Sequence, residues 1–184
     1  NPETTLVLDL GSRTTIASVF QNGALQESIN INIAGNAITA SLAEKLKISQ
    51  ADAEQRKIAS GLTAAPGDGA EMLIIQGQLQ PLKDELLVFI KYFEKHHGQP
   101  INRVLLAGGS ASMVGLDQYF SDNLGLPVAL AQPLPFFGLP ADRVTVPKFL
   151  VVLGLARLAL GEKPAGINFL AHREKAWMQE STNL

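Results

Sequence analysis

The stretch Leu6-Val7-Leu8-Asp9-Leu10-Gly11-Ser12-Arg13-Thr14-Thr15 decides the fold of this 184-residue chain. An apolar strand delivers a carboxylate. A small, hydroxyl-rich turn follows, and Ile16-Ala17-Ser18-Val19-Phe20 returns at once as a second apolar strand. Such a turn at the mouth of a sheet presents backbone N–H groups, hydroxyls and one carboxylate, a donor set that suits a phosphate and its metal ion. A plain β-hairpin with a polar turn carries the same local pattern, so the rest of the chain has to separate the two readings.

Outward from this stretch, strands are expected at 5–10, 14–21 and 24–33. Asn22-Gly23 is a strong hairpin signal, because both residues tolerate positive φ. Gly35-Asn36 breaks the strand pattern. Ile38, Leu42 and Leu46 then recur every four residues, which predicts a helix over 36–47. Ser49 reads as the N-cap of a second helix, 50–60, on which Glu54 and Lys57 share a face. That pair is either a surface ion pair or a polar clamp for a ligand beside the helix. A Gly/Ala/Pro/Asp loop fills 61–70. The apolar face Leu79, Leu82, Leu86, Phe89, Ile90 and Phe93 predicts a long helix over 78–97, with Pro81 in its first turn and Lys95, His96 and His97 in its last.

Ile101 to Ala107 has the character of a buried strand. It runs into Gly108-Gly109-Ser110 and an expected helix over 111–123. Glycines at such a turn let a ligand approach the backbone, and a helix N-terminus offers unpaired N–H groups. The spacing matches neither the P-loop nor the dinucleotide fingerprint. A short strand at 127–130, a Pro-rich segment at 131–146 and an apolar helix at 147–160 follow. The tail from Gly161 is polar apart from Ile167-Asn168-Phe169-Leu170.

Bulk properties narrow the class. The chain is 46% hydrophobic and 17% charged, which is globular. A net charge of −2 creates no field that would attract nucleic acid. There is no cysteine, so disulfides and thiolate metal sites are excluded. The apolar run Phe149 to Ala156 is too short to span a bilayer. No charged-then-apolar leader opens the sequence, and a start directly in a strand reads as a piece of a longer protein.

The order of these elements resembles the second half of the actin-like ATPase fold. It is a mixed α/β sheet flanked by helices with an inserted helical lobe, of the ribonuclease H-like class. Within that superfamily, Gly35-Asn36-Ala37-Ile38-Thr39, Leu46-Lys47-Ile48-Ser49, Ala53-Glu54-Gln55-Arg56-Lys57, Leu86 to Phe93, Arg103 to Ala111 and Val114 to Phe120 are similar to segments of PilM, the actin-like protein of type IV pilus assembly. The resemblance covers residues 4 to about 170. It implies a core subdomain at 1–33 and 101–146, a small lobe at 34–100, a helix at 147–162 packing on the N-terminal half of the same protein, and a tail at 163–184. It also implies ATP and Mg²⁺ as cofactors. Asp9 would hold the metal through water, and Gly11, Ser12, Thr14 and Thr15 would line the phosphates. Glu54 and Lys57 would contact ribose and adenine, and Gly108, Gly109, Ser110 and Met113 would wall the adenosine.

The implied role is a cytoplasmic scaffold, peripheral at the inner membrane, whose lobe closure controls a pilus partner of the PilN type. Residues 167–174 are themselves similar to the segment by which PilN docks. The resemblance implies no direct membrane insertion. The first phosphate motif and the catalytic residue of this family come from the N-terminal half, so this chain alone is not expected to hydrolyse ATP. Arg13, Ala34 and Ala107 depart from the small, glycine and hydroxyl residues usual at those positions. They leave open a degenerate scaffold of the type II secretion kind that no longer binds nucleotide. A sugar kinase of the same fold is a third reading.

Overall fold

The computed structural model describes residues 3–63, 69–132 and 146–159. The chain divides into two compact units, Asn1–Leu153 and Gly154–Leu184, and the architecture below is that of the first. Five strands form one sheet: β1 (Thr4–Leu10), β2 (Thr15–Gln21), β3 (Ala24–Ile31), β4 (Arg103–Ala107) and β5 (Val128–Leu130). Their order is β3-β2-β1-β4-β5. The β1–β2 and β2–β3 pairs are antiparallel hairpins, whereas β4 runs parallel to both β1 and β5. Asn22 (φ 51°) and Gly23 (φ 79°) make the second hairpin turn, both at the positive φ such a turn demands.

Alternation along the strands sorts the two faces. Leu6, Leu8 and Leu10 are buried and stand in rows with Val19, Ala17, Val104 and Leu106. These rows join Leu86, Phe89, Phe93 and Phe120 from the helices in one apolar cluster. Val7 and Asp9 occupy the alternate positions, so Asp9 lies on the opposite face from this core, one residue before β1 ends.

Helices α1 (Gly35–Leu46), α2 (Gln50–Ser60), α3 (Ala70–His97) and α4 (Leu116–Leu124) belong to the same unit, and α5 (Leu150–Ala159) begins in it and ends in the second. Ser49 caps α2 as expected, its hydroxyl accepting from the Asp52 N–H at 3.1 Å. Three expected boundaries move. The longest helix begins at Ala70 rather than 78, so Pro81 sits in its interior. Ile75 is buried on the same stripe as Leu79 and Leu82, and burial on both sides of the proline carries the helix through a break costing about 3 kcal/mol.

The expected helix over 111–123 is instead a 3-10 turn at Gly109–Ser112 followed by α4. Gly115 (φ 78°) separates them, a conformation no helix interior accepts. The expected helix over 147–160 is likewise a 3-10 turn at Val146–Phe149 and then α5. Among the described residues, no helix is long and apolar enough to cross a membrane.

The two ends of α3 are tied to different neighbours. Glu71 pairs with Arg56 of α2 at 2.8 Å, and Gln78 donates to the Ser41 hydroxyl of α1 at 3.3 Å. At the far end, His97 meets Glu27 of β3 at 3.2 Å and stacks on Phe93. Residues 64–68 of the expected loop, 133–145 of the Pro-rich segment and the tail containing 167–170 lie outside the described residues.

Candidate functional site

Parallel pairing of β1 with β4 sets Asp9 beside Ala107, so the strand ends deliver Asp9 and Gly108 to the same place. Gly108 has φ 88°, and a Cβ there would collide with Asp9 Oδ1 and come within 2.5 Å of the Leu10 carbonyl oxygen. Only glycine fits. Asp9 is half-buried, and burial raises its pKa above the ordinary carboxylate value. No basic side chain of the described residues forms an ion pair with it. A carboxylate whose own charge is disfavoured by its surroundings suits a cation brought by a ligand.

The hairpin turn after Asp9 is held from within and from outside. The Gly11 N–H donates to the Thr14 carbonyl at 3.1 Å. The Gly11 carbonyl accepts from Gly35 N–H at 3.1 Å, and the Ser12 carbonyl from Asn36 N–H at 2.8 Å. Ala34, the N-cap of α1, has no side chain able to cap, so the hairpin carbonyls take that part. Consequently these first N–H groups of α1 are engaged within the protein. Thr15 is fully buried and its hydroxyl donates to the Ile33 carbonyl at 2.6 Å, which props the turn. Ser12 and Arg13 are exposed at the tip, and Thr14 is half-buried.

Glu54 and Lys57 do meet, but not as a surface pair. The Lys57 side chain is 4% exposed and the Glu54 side chain 45%, with 2.7 Å between Nζ and Oε2. The ammonium also donates to the Thr39 hydroxyl at 3.0 Å and the Gly35 carbonyl at 3.3 Å. Its three protons therefore meet three acceptors, the condition under which a buried lysine is tolerated as a cation. Thr39 lies within hydrogen-bond reach of both Glu54 and the Gly35 carbonyl, and its single proton serves one of them at a time. For Glu54, desolvation is the largest single influence and raises the pKa. Hydrogen bonds from Lys57 and Thr39 and the charges of Lys57 and Lys148 outweigh it together, so the net shift is downward.

The Gly108-Gly109-Ser110 turn closes the ring. Ser110 is buried and donates to the Gly11 carbonyl at 3.5 Å. Met113 is buried behind it, its N–H on the Ser110 carbonyl at 3.1 Å. Gly109 is exposed, with open space where a Cβ would stand. Everything converges on Gly35. A Cβ there would strike Ser110 Oγ and lie 3.3 Å from both the Gly11 carbonyl oxygen and Lys57 Nζ.

Four segments far apart in sequence thus meet at one small polar junction, which has a lone carboxylate on one strand end and a carboxylate, ammonium and hydroxyl on the helices. Sequence reasoning missed Gly35, Thr39 and Lys148. Thr39 was detectable, one helical turn after the glycine break. Lys148 was not, because its field reaches Glu54 only through tertiary structure.

Known proteins place this architecture. The family described as cell division protein FtsA matches residues 6–154. The chain is 27% identical to cell division protein FtsA of Neisseria meningitidis serogroup B, in an alignment covering 95% of this chain and 50% of that protein. The chain spans half or less of the curated relatives it matches. Among solved structures, it resembles one of the PilM-PilN type IV pilus biogenesis complex, with TM-score 0.71 and 22% identity over 88% of this chain and 47% of that one. It also resembles MreB5 of Spiroplasma citri bound to ADP, with TM-score 0.62 and 16% identity over 86% of this chain and 56% of that one. The fold is actin-like, and the chain holds part of it.

Proposed function

The chain belongs to the family of cell division protein FtsA, and from that premise we propose that it is a nucleotide-responsive scaffold for a membrane-associated assembly machine. The observation that carries this reading is the convergence of the Gly11 turn, Ser110 and Lys57 on Gly35. Such a junction suits a ligand with a phosphate end and a hydroxyl-bearing end. In this reading ATP lies with its phosphates at Gly11, Ser12 and Thr14 and its adenosine along Gly108, Gly109 and Ser110. The outer oxygen of Glu54 takes the ribose. Lys57 and Thr15, already engaged inside the protein, hold the walls. Asp9 fits a Mg²⁺ ion held through water, which would neutralise phosphate charge. Hydrolysis is assigned to no residue of this chain.

Binding at the junction stabilises whichever arrangement of lobe and sheet contacts the ligand on both sides, and a partner that prefers that arrangement binds tighter in consequence. For the partner we favour an inner-membrane protein of the PilN type in pilus assembly. The segments shared with PilM and the fold likeness to the PilM-PilN complex support it. The family name favours cell division as the second reading.

A thermal-shift titration of the full-length protein with Mg-ATP tests the nucleotide part, since a ligand bound by the native state alone raises the melting point. No shift at millimolar nucleotide leaves a scaffold without nucleotide binding. Deletion in the organism that encodes it separates the machines. Loss of surface pili with normal septation supports pilus assembly, and filamentous cells support division.

A further inference from the structure

We propose that the outer edge of β3, with the groove between it and α3, takes an extended segment of a partner protein that carries apolar and basic side chains. β3 is the last strand of the sheet on its side, hydrogen-bonded to β2 alone among the described residues. Exposed edges are ordinarily guarded by lysine, proline or a bulge. Here the register shift at Val19/Phe20 leaves Gln26 as the extra residue, so the bulge guards only the first part of the strand. From Ser28 to Ile31 the pairing is regular and the strand holds neither lysine nor proline.

Beside that regular part lies a groove of about 580 Å³, floored by Ile29, Val88 and Phe89. Val88 is 69% exposed although it stands on a helix whose neighbouring turns are packed. The charged residues lining the groove are Glu27, Asp84 and Glu85, all acidic; Glu27 already meets His97 at 3.2 Å and Asp84 meets Lys83 at 3.1 Å, and Glu85 has no ion pair among the described residues. An acidic rim around an apolar floor repels nucleic acid and anionic lipid and favours a cationic partner.

The register states what that partner needs. Glu27 and Ile29 share the groove side of β3, two residues apart, and Ser28 and Asn30 face the other way. A sixth strand would place an apolar side chain across from Ile29 and a lysine or arginine across from Glu27, with polar residues between them.

Two peptides test this on the full-length protein: Ac-Thr-Lys-Thr-Val-Thr-Val-Gln-NH₂ and its counterpart with Glu for Lys. The lysine peptide should bind roughly fivefold more tightly. It should also slow exchange at the N–H groups of Ser28 to Ile31 that point away from β2, the alternate ones being already paired with it. Val88→Asp, at an exposed position, should remove binding, and Glu85→Lys should narrow the preference between the peptides. Equal binding of both, binding that survives Val88→Asp, or no binding at millimolar peptide overturns the proposal. Slow exchange, before any peptide is added, at those N–H groups of Ser28 to Ile31 that point away from β2 also overturns it, since the edge is then already covered.

Discussion

The Lys57 ammonium lies 2.7 Å from the Glu54 carboxylate, yet the lysine end of the pair is buried and the glutamate end is nearly half exposed. The two residues are three apart on α2, but only one belongs to the interior. Lys57 ties α2 to α1 through Thr39 and Gly35, and Glu54 keeps an outward oxygen free for something else.

Removing the ammonium should therefore be a stability mutation. Lys57→Met removes one donor each from the Gly35 carbonyl, the Thr39 hydroxyl and the Glu54 carboxylate, at a cost of about 2–3 kcal/mol. The urea midpoint should fall with the slope unchanged. Glu54→Gln, which retains an acceptor at the half-exposed end, should cost under about 1 kcal/mol. It should instead weaken the thermal response to Mg-ATP.

Gly108 and Gly109 are adjacent, and alanine should separate them. Gly108→Ala drives a methyl group into Asp9 and the Leu10 backbone at φ 88°. It should destabilise by more than about 2 kcal/mol. At Gly109 nothing lies where the methyl group would stand, so the melting point should hold, while nucleotide affinity should drop. Equal losses of stability in the two variants would contradict this geometry.

Asp9 supplies a pH signature. Burial raises its pKa in the folded state, so the native protein binds more protons than the unfolded chain between the two values. Stability from this group then falls as pH rises through the folded value. Asp9→Asn should be neutral or stabilising by less than about 1 kcal/mol at pH 7, the small figure reflecting solvent screening of a half-exposed group. Its advantage should vanish in acid, and the same variant should lose its response to Mg-ATP. Glu54 behaves oppositely. Its pKa is lowered, so its contribution is present at neutral pH and is lost as pH falls through the folded value. Denaturant midpoints across pH for the two single variants resolve the opposite slopes.

Pro81→Ala should restore an N–H to the interior of α3 and stabilise the chain by about 1–2 kcal/mol. Calorimetry reads this directly, and no change in melting point would mean that the helix is already adapted to the missing bond.

The strands, the two hairpins and the strand–glycine turn were legible because alternation and glycine punctuation are local signals. So was the pairing of Glu54 with Lys57, which follows from helical spacing. The burial of Lys57 was not, since it depends on Thr39 and Gly35 arriving from another helix. The start of α3 was hidden for a related reason. Pro81 reads locally as a first-turn residue with Gly77 as the break before it, and only the packing of Ile75 and Leu79 shows that the helix runs through both. Gly115 had the reverse effect, breaking a periodic stretch for a φ that periodicity does not register. Asp9 and Gly108 could be named from sequence, but their contact comes from the parallel register of β1 and β4.

Pro81 has a mechanical meaning as well. The helix that contains it is anchored to α1 and α2 at one end and to the sheet edge at the other. The proline has no N–H to give the Gly77 carbonyl, and Gly77 has no side chain to stiffen that turn. Load passed along α3 between α1 and α2 on one side and the sheet edge on the other meets its least resistance there. The longest helix among the described elements thus has one interior turn that is short of a backbone hydrogen bond, and bending costs least there.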